Sequence, residues 1–383
     1  MMSSVPADQA SDLRVALLHN YRDERQPSMR LYAKRLGDAL LRRGVSLRRL
    51  SRPPIVPSEW RARSSAWVKV DGCIGRFTLQ PHLVDRLECE VIHVVDHGQG
   101  YWLSDHERAR TVMTCHDVIL LAVAAGRIGV GRVSPLSLQL FRISSELMKR
   151  SGAVVTVSTQ TKRDLTEFLQ IDPARITVVS PGLNHRFSPN GERRLAARAK
   201  FNLGSGPLVL QVGRRFYKNI PAALRVIQGL CRQGLDVRLV HLGPPLIPAE
   251  RAHAQRLGVA DRIVDLGIVA DEDMPGLYNA ADVLLFPSLY EGFGWPPIEA
   301  MASGTPVVCS RAGALNELVD GAALTADPED AEALAWHVGT VLTDSKVRDV
   351  LVARGLVNAA RFDWDRTAGQ MVGVYRDVLQ RAA

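Results

Sequence analysis

Asp282-Val-Leu-Leu-Phe-Pro-Ser-Leu-Tyr-Glu-Gly-Phe-Gly-Trp-Pro-Pro-Ile-Glu-Ala-Met-Ala-Ser-Gly-Thr-Pro-Val-Val-Cys309 reads as a strand, a glycine-rich loop, a helix and a second strand. Val283 to Ser288 is the strand-like run. Glu291 to Glu299 forms the loop and its exit, Ala300 to Ser303 continues as a short helical pattern, and Gly304 stops it. Pro306 to Cys309 is the next strand. Two carboxylates, a glycine-rich loop and a helix N-terminus therefore converge at one point. That set suits a phosphorylated sugar, because glycines let backbone amides approach closely and a helix N-terminus attracts a diphosphate. Pro296 and Pro297 fit a first helical turn, where an N–H has no partner anyway.

Outward from this segment, strand and helix patterns alternate almost throughout. Arg14–His19, Val91–Val95, Thr111–Cys115 and Ala153–Val157 read as buried strands; Ser28–Arg43, Leu136–Arg150 and Thr159–Leu169 read as helices. A second series begins with the strand Pro207–Val212, the helix Lys218–Arg232, and the strands Val237–His241 and Ile263–Leu266. Asp271–Ala280 reads as a helix capped by Asp271. The chain ends in three helical patterns, Ala333–Leu342, Val347–Arg361 and Arg366–Leu379. Such alternation indicates parallel α/β sheets with helices on both faces. The polar stretch Ser188–Ser205 separates the two series and is the expected linker.

The bulk properties agree. A chain of 383 residues suits two domains with a core each. No apolar run approaches the length of a membrane span; the longest, Val118–Ala125, is far too short. The N-terminal residues show no signal-peptide pattern. Five scattered cysteines without a Cys-x-x-Cys imply reduced thiols and a cytoplasmic protein. The net charge of +8 is uneven: residues 1–190 carry 27 Lys/Arg against 18 Asp/Glu, and the remainder 21 against 22. An excess confined to one half points to a solubilising surface or an anionic partner such as nucleic acid, a membrane face or an acceptor.

The pattern Glu-Gly-Phe-Gly-x-Pro-x-x-Glu-Ala-Met-Ala-x-Gly-Thr-Pro-Val-Val resembles that of retaining glycosyltransferases of family 4. The resemblance implies the GT-B fold: two Rossmann-like, doubly wound domains facing each other across a cleft. The expected division is 1–190 for an acceptor domain, 191–365 for a nucleotide-sugar domain, and 366–383 for a last helix that packs back on the first domain. Phe362-Asp363-Trp364 resembles the aromatic segment that precedes that helix. The implied reaction moves a sugar from a nucleoside-diphosphate sugar, UDP- or GDP-linked, to a glycan or lipid-linked acceptor, in cell-surface polysaccharide or glycolipid synthesis. It implies retention of configuration, no metal, no other cofactor and no nucleic-acid partner.

Val212-Gly213-Arg214-Arg215-Phe216-Tyr217-Lys218-Asn219 follows a strand and opens a helix, so its charges lie at a carboxyl sheet edge where doubly wound folds bind ligands. By resemblance, Lys218 and either Arg214 or Arg215 hold the donor diphosphate. Gly213 belongs to the same loop. Glu299 matches the residue that accepts hydrogen bonds from the nucleotide ribose, and Glu291 the one that contacts the transferred sugar. The amides of Gly292, Phe293, Gly294 and Trp295 are candidates to hold sugar and diphosphate. His116, in Thr114-Cys-His-Asp117, matches a histidine that contacts the sugar, with Asp117 fixing its loop. Ser158 matches a helix cap, and Ser180-Pro-Gly-Leu-Asn184 a structural turn.

The loop Asn20–Met29 lacks the paired glycines common in the family; Ser28 is the expected cap of the helix after it. Metal ligation is a weak alternative, through His93-Val-Val-Asp96-His97, Asp271–Asp273 or Asp363–Asp365. The basic helix with Arg30, Lys34, Arg35, Arg42 and Arg43 offers peripheral contact with an anionic membrane. Rival activities are a nucleotide-sugar epimerase of the same fold, a two-carboxylate glycoside hydrolase, and a non-catalytic binding subunit.

Overall fold

The computed structural model describes residues 13–19, 27–51, 54–64, 67, 70–71, 88–99, 108–129, 131, 133–184 and 186–382. Among them are two parallel sheets of six strands. The first runs β2(Ser46–Leu50), β1(Arg14–Leu18), β3(Val91–Val94), β4(Thr111–Cys115), β5(Ala153–Thr156), β6(Ile176–Val178). The second runs β12(Leu324–Ala326), β11(Val307–Ser310), β10(Val283–Phe286), β7(Leu208–Val212), β8(Arg238–Leu242), β9(Ile263–Gly267). Strands such as Val-Leu-Leu-Phe and Val-Val-Cys-Ser are buried along their whole length. This is the pattern of a parallel sheet covered on both faces. In the second sheet the order reverses between β7 and β10, which makes their carboxyl ends the switch point where doubly wound sheets bind ligands.

The chain divides into two compact units. Residues up to Leu121, Val133–Asn184 and Asp363–Ala383 form one; Ala122–Arg132 and His185–Phe362 form the other. The expected boundary was 190/191, but Phe187 packs edge-on against Tyr278 and Ser188 accepts a hydrogen bond from Asn279, so both belong with the second unit. Its core joins Val209, Leu285 and Val308 of the sheet to Leu224, Ile227, Leu334 and Val338 of the helices Ile220–Arg232 and Ala331–Thr343. The first unit's core is built on Ile92, Val94, Met113, Val154 and Leu165.

The last helix, Trp364–Ala382, belongs to the first unit. Tyr375 Oη lies 2.7 Å from His93 Nδ1, and His93 Nε2 lies 2.7 Å from Thr114 Oγ1. Trp364 packs edge-on against Tyr32. A Cβ at Gly182 would lie 2.5 Å from the Trp364 nitrogen, so the turn before the linker needs glycine for this approach.

Four sequence expectations change. Ser188–Ser205 is not an open linker, because Gly191–Lys200 is a helix capped by the Asn190 side chain. Its Arg194 and Arg198 both reach Asp282, at 2.7 and 2.8 Å, and both donate to the Ala280 carbonyl. Arginines that read as solvated polarity are thus the contacts that close the helix onto the start of β10. Asp271 starts a short 3₁₀ turn, Asp271–Asp273, and the α-helix begins at Met274. Ser28 lies inside the helix Pro27–Arg42 instead of capping it, and Asn20–Gln26 lie outside the described residues. The apolar face of that helix (Tyr32, Leu36, Leu40) is core. Arg42 pairs with Asp365 at 2.8 Å and Arg43 donates to the Asp365 carbonyl, so two of the five cations offered to a membrane are exposed but engaged within the first unit.

Candidate functional site

β7 ends at Val212, and Gly213 turns the chain with φ +92°, its N–H donating to the Leu242 carbonyl at 2.6 Å. The loop is held from below by Gln211, whose amide donates to the Gly213 carbonyl at 2.9 Å and whose Oε1 meets His241 Nδ1 at 2.6 Å. A 3₁₀ turn, Phe216–Lys218, precedes the helix, which begins at Ile220, two residues later than the sequence pattern suggests. Asn219 sits between them in the left-handed region (φ 55°, ψ 49°), a conformation that Asn tolerates. Its amide donates to the carbonyls of Pro287 (3.1 Å) and Pro328 (2.8 Å), tying this loop to the exit of β10.

Lys218 Nζ meets Glu291 Oε1 at 2.6 Å, and both side chains are largely buried. The ammonium also lies 4.4 Å from the centroid of the Phe286 ring, within cation–π range. Arg214 is half-buried, and its Nε has no hydrogen-bond partner among the described residues; Arg215 is exposed. The Glu291 backbone is clamped by the segment before the helix Leu315–Val319. Ala314 N–H donates to the Glu291 carbonyl at 2.9 Å, and a Cβ at Gly313 would lie 2.4 Å from that oxygen.

Gly294, at φ +108°, turns the chain into the helix Trp295–Ala302. This helix takes in the two prolines, so it starts five residues before the apolar pattern at Ala300. Pro296 and Pro297 carry no N–H, which leaves Trp295 and Ile298 among its first four positions as backbone donors. Phe293 is buried against Trp295 and Phe362. Glu299 lies on this helix, and its Oε2 accepts the Tyr278 hydroxyl at 2.8 Å. Burial and the adjacent carboxylate push the Tyr278 phenol far above its ordinary value, so it stays protonated as a donor.

Gly213, Arg214, Arg215, Lys218, Glu291, Gly292–Trp295 and Glu299 all belong to the second unit, on the segments that leave β7 and β10 at the switch point. His116 belongs to the first unit, just past β4. Its Nε2 lies 2.8 Å from the Val95 carbonyl, so that nitrogen carries the proton and a neutral ring accepts through Nδ1. Burial, above all, lowers the His116 pKa, and its ring stands edge-on to Tyr32 at 4.7 Å. Asp117 accepts from the Ile119 N–H at 3.1 Å and shapes that loop. Ser158 caps the helix Thr159–Leu169.

The alternative metal ligands have other duties. His93 is bonded within the core through both nitrogens. Asp273 pairs with Lys200 at 2.5 Å, and Asp363 accepts from the N–H groups of Asp365 and Arg366. Among the described residues no group of three His, Cys, Asp or Glu is arranged to hold a metal ion, and no helix is long and apolar enough to cross a membrane. Tyr278, Gln211 and Gly313 support the site without any sequence signal of their own, and Asn219, within the loop 212–219, gives no sign in sequence of its bonds to Pro287 and Pro328.

Residues 29–187 match glycosyltransferase family 4, and residues 194–356 match the glycosyl transferases of group 1. The O-antigen chain mannosyltransferase B of Escherichia coli is 30% identical over 292 residues, covering 73% of each chain. Sucrose-phosphate synthase from Thermosynechococcus elongatus has a TM-score of 0.72 at 22% identity, over 95% of this chain and 98% of its own. Anabaena HepE in complex with UDP-glucose has a TM-score of 0.66 at 18% identity, over 94% and 99%. At those identities the two structures bear on the fold, which is GT-B. The chain belongs to the group 1 glycosyltransferases of family 4.

Proposed function

We propose that this glycosyltransferase moves a sugar, with retention of configuration, from a UDP- or GDP-linked donor to a glycan or lipid-linked acceptor. The buried contact between Lys218 and Glu291 carries the reading. It holds a cation and a carboxylate 2.6 Å apart at the carboxyl edge of β7 and β10. In this reading the ammonium faces the donor diphosphate, and Glu291 accepts from hydroxyls of the transferred sugar. Arg214 is the better second cation, because its Nε is buried and unpaired while Arg215 faces solvent. Glu299 takes the ribose. His116 offers Nδ1 as an acceptor to a sugar hydroxyl.

The bond from the anomeric carbon to the diphosphate oxygen breaks as the acceptor oxygen attacks from the same face. The acceptor proton passes to a phosphate oxygen of the leaving group. Negative charge grows on that diphosphate, and fixed cations aimed at it give the main stabilisation, with no metal needed. The reading draws support from the mannosyltransferase relative and from the UDP-glucose complex of a structural neighbour.

Calorimetric binding of UDP, GDP, ADP and dTDP in the presence of a chelator tests it, with Lys218→Ala and Glu299→Ala as controls. Tight binding of one nucleotide, lost in both variants, is the expected result. Binding of none, or binding indifferent to both substitutions, would overturn the site.

A further inference from the structure

Glu299 is a carboxylate only 8% exposed, and burying such a charge demands a donor. Tyr278 Oη, 21 residues earlier in the chain, donates to Glu299 Oε2 at 2.8 Å. Tyr278 is fully buried and is held without help from Glu299. Its carbonyl accepts from Thr305 Oγ1 at 2.7 Å, and its ring stands edge-on to Phe187 at 5.6 Å. The neighbouring Asn279 donates to the Ser303 carbonyl at 3.0 Å, and Ser303 Oγ donates back to the Glu299 carbonyl at 2.9 Å. The helix Met274–Ala280 is thus tied to Ser303 and Thr305, at and just past the end of the helix Trp295–Ala302 that carries Glu299, and these ties fix the approach of the hydroxyl to Oε2.

We propose that Tyr278 is a positioning residue that sets nucleotide specificity: its hydroxyl fixes the Glu299 carboxylate plane for the ribose hydroxyls of the donor. The proposal rests on the reading of Glu299 given above. Removing the hydroxyl leaves the ring, the helix ties and the volume in place. A loose carboxylate still contributes charge, but it no longer meets the ribose at a set angle, and a hydrogen bond weakens steeply once its geometry is lost. The effect therefore falls on the ribose, not on the base or the diphosphate.

The test is calorimetric affinity of the full chain for UDP and GDP against their 2′-deoxy and 3′-deoxy forms, for four proteins: unsubstituted, Tyr278→Phe, Glu299→Ala and the double variant. In the unsubstituted protein the ribonucleotide binds at least about tenfold more tightly than a deoxy form, the scale of a hydrogen bond to a charged group. In Tyr278→Phe this preference contracts severalfold while deoxynucleotide affinity stays constant. The double variant matches Glu299→Ala, because Tyr278 acts through that carboxylate. Partial unfolding would lower the number of sites and leave the ratio untouched. If Glu299→Ala erases the preference but Tyr278→Phe keeps it whole, the inference fails and the donor site stands. If the two substitutions multiply in the double variant, Tyr278 acts on its own and the inference fails. If Glu299→Ala leaves the ribose preference intact, the reading of Glu299 fails and takes the inference with it.

Discussion

Gly313→Ala should disable the enzyme while leaving it folded. Gly313 has φ +58°, and an added Cβ would lie 2.4 Å from the Glu291 carbonyl oxygen and 2.6 Å from its nitrogen. Ordinary contact begins at 3.4 Å, so the Glu291 backbone must retreat by about 1 Å from two directions at once. Both atoms are main chain, and no side-chain rotation relieves the clash. Glu291 is the partner of Lys218 at 2.6 Å, so the retreat breaks that geometry directly. A misplacement on the order of 1 Å in a positioned group lowers turnover about 100-fold. Gly321→Ala is the internal control. Gly321 has φ +73°, and nothing lies within 4 Å of its added Cβ. Both substitutions therefore carry the left-handed penalty of roughly 1–2 kcal/mol, and only Gly313→Ala carries the clash. Sugar transfer and thermal melts on both variants separate the two effects. Activity lost in Gly313→Ala and kept in Gly321→Ala is the expected result. Equal activity in the two would refute the claim that Gly313 exists to admit Glu291.

Arg198→Ala should destabilise the second unit by about 1–3 kcal/mol, read from urea denaturation. It removes one of two arginines from Asp282, which keeps Arg194 and the Leu208 N–H, and it takes a donor from the Gly204 and Gly206 carbonyls. Lys218→Met and Glu291→Gln should each lower activity at least about 100-fold. The double variant should be no worse than the worse single one, and multiplicative losses would show that the two act separately. The first unit should lose stability as the pH falls below about 6.5, the ordinary histidine value. Burial lowers the His93 pKa to about 3 and lowers that of His116 as well. The unfolded chain then binds protons that the folded histidines refuse, and stability drops by up to about 1.4 kcal/mol per pH unit for each such histidine. His93→Gln should flatten the slope of melting temperature between pH 6.5 and 4.5, and an unchanged slope would rule out its burial as the cause.

What the sequence discloses about this protein depends on the range of the interaction that fixes each feature. Val283–Phe286 and Val307–Ser310 are buried on both faces, so their apolar runs announce them without reference to anything else. Glu291 and Glu299 are legible because the loop and helix that place them are contiguous with them. The helix Gly191–Lys200 is not legible as part of the core: its arginines are soluble-surface residues until Asp282 and the carbonyls of residues 279–281 are brought to them. Tyr278 is an ordinary helix aromatic until Glu299 arrives beneath it. Adjacent Arg214 and Arg215 have the same chemistry and nearly the same position, and only burial separates them. The residues proposed to face the donor are local to the motif, whereas those that hold them are distant in sequence and chosen by packing. A reading of motifs alone therefore finds the candidates and misses what holds them in place. Tyr278→Phe and Gly313→Ala address that second layer, because each changes a residue that the motif does not contain.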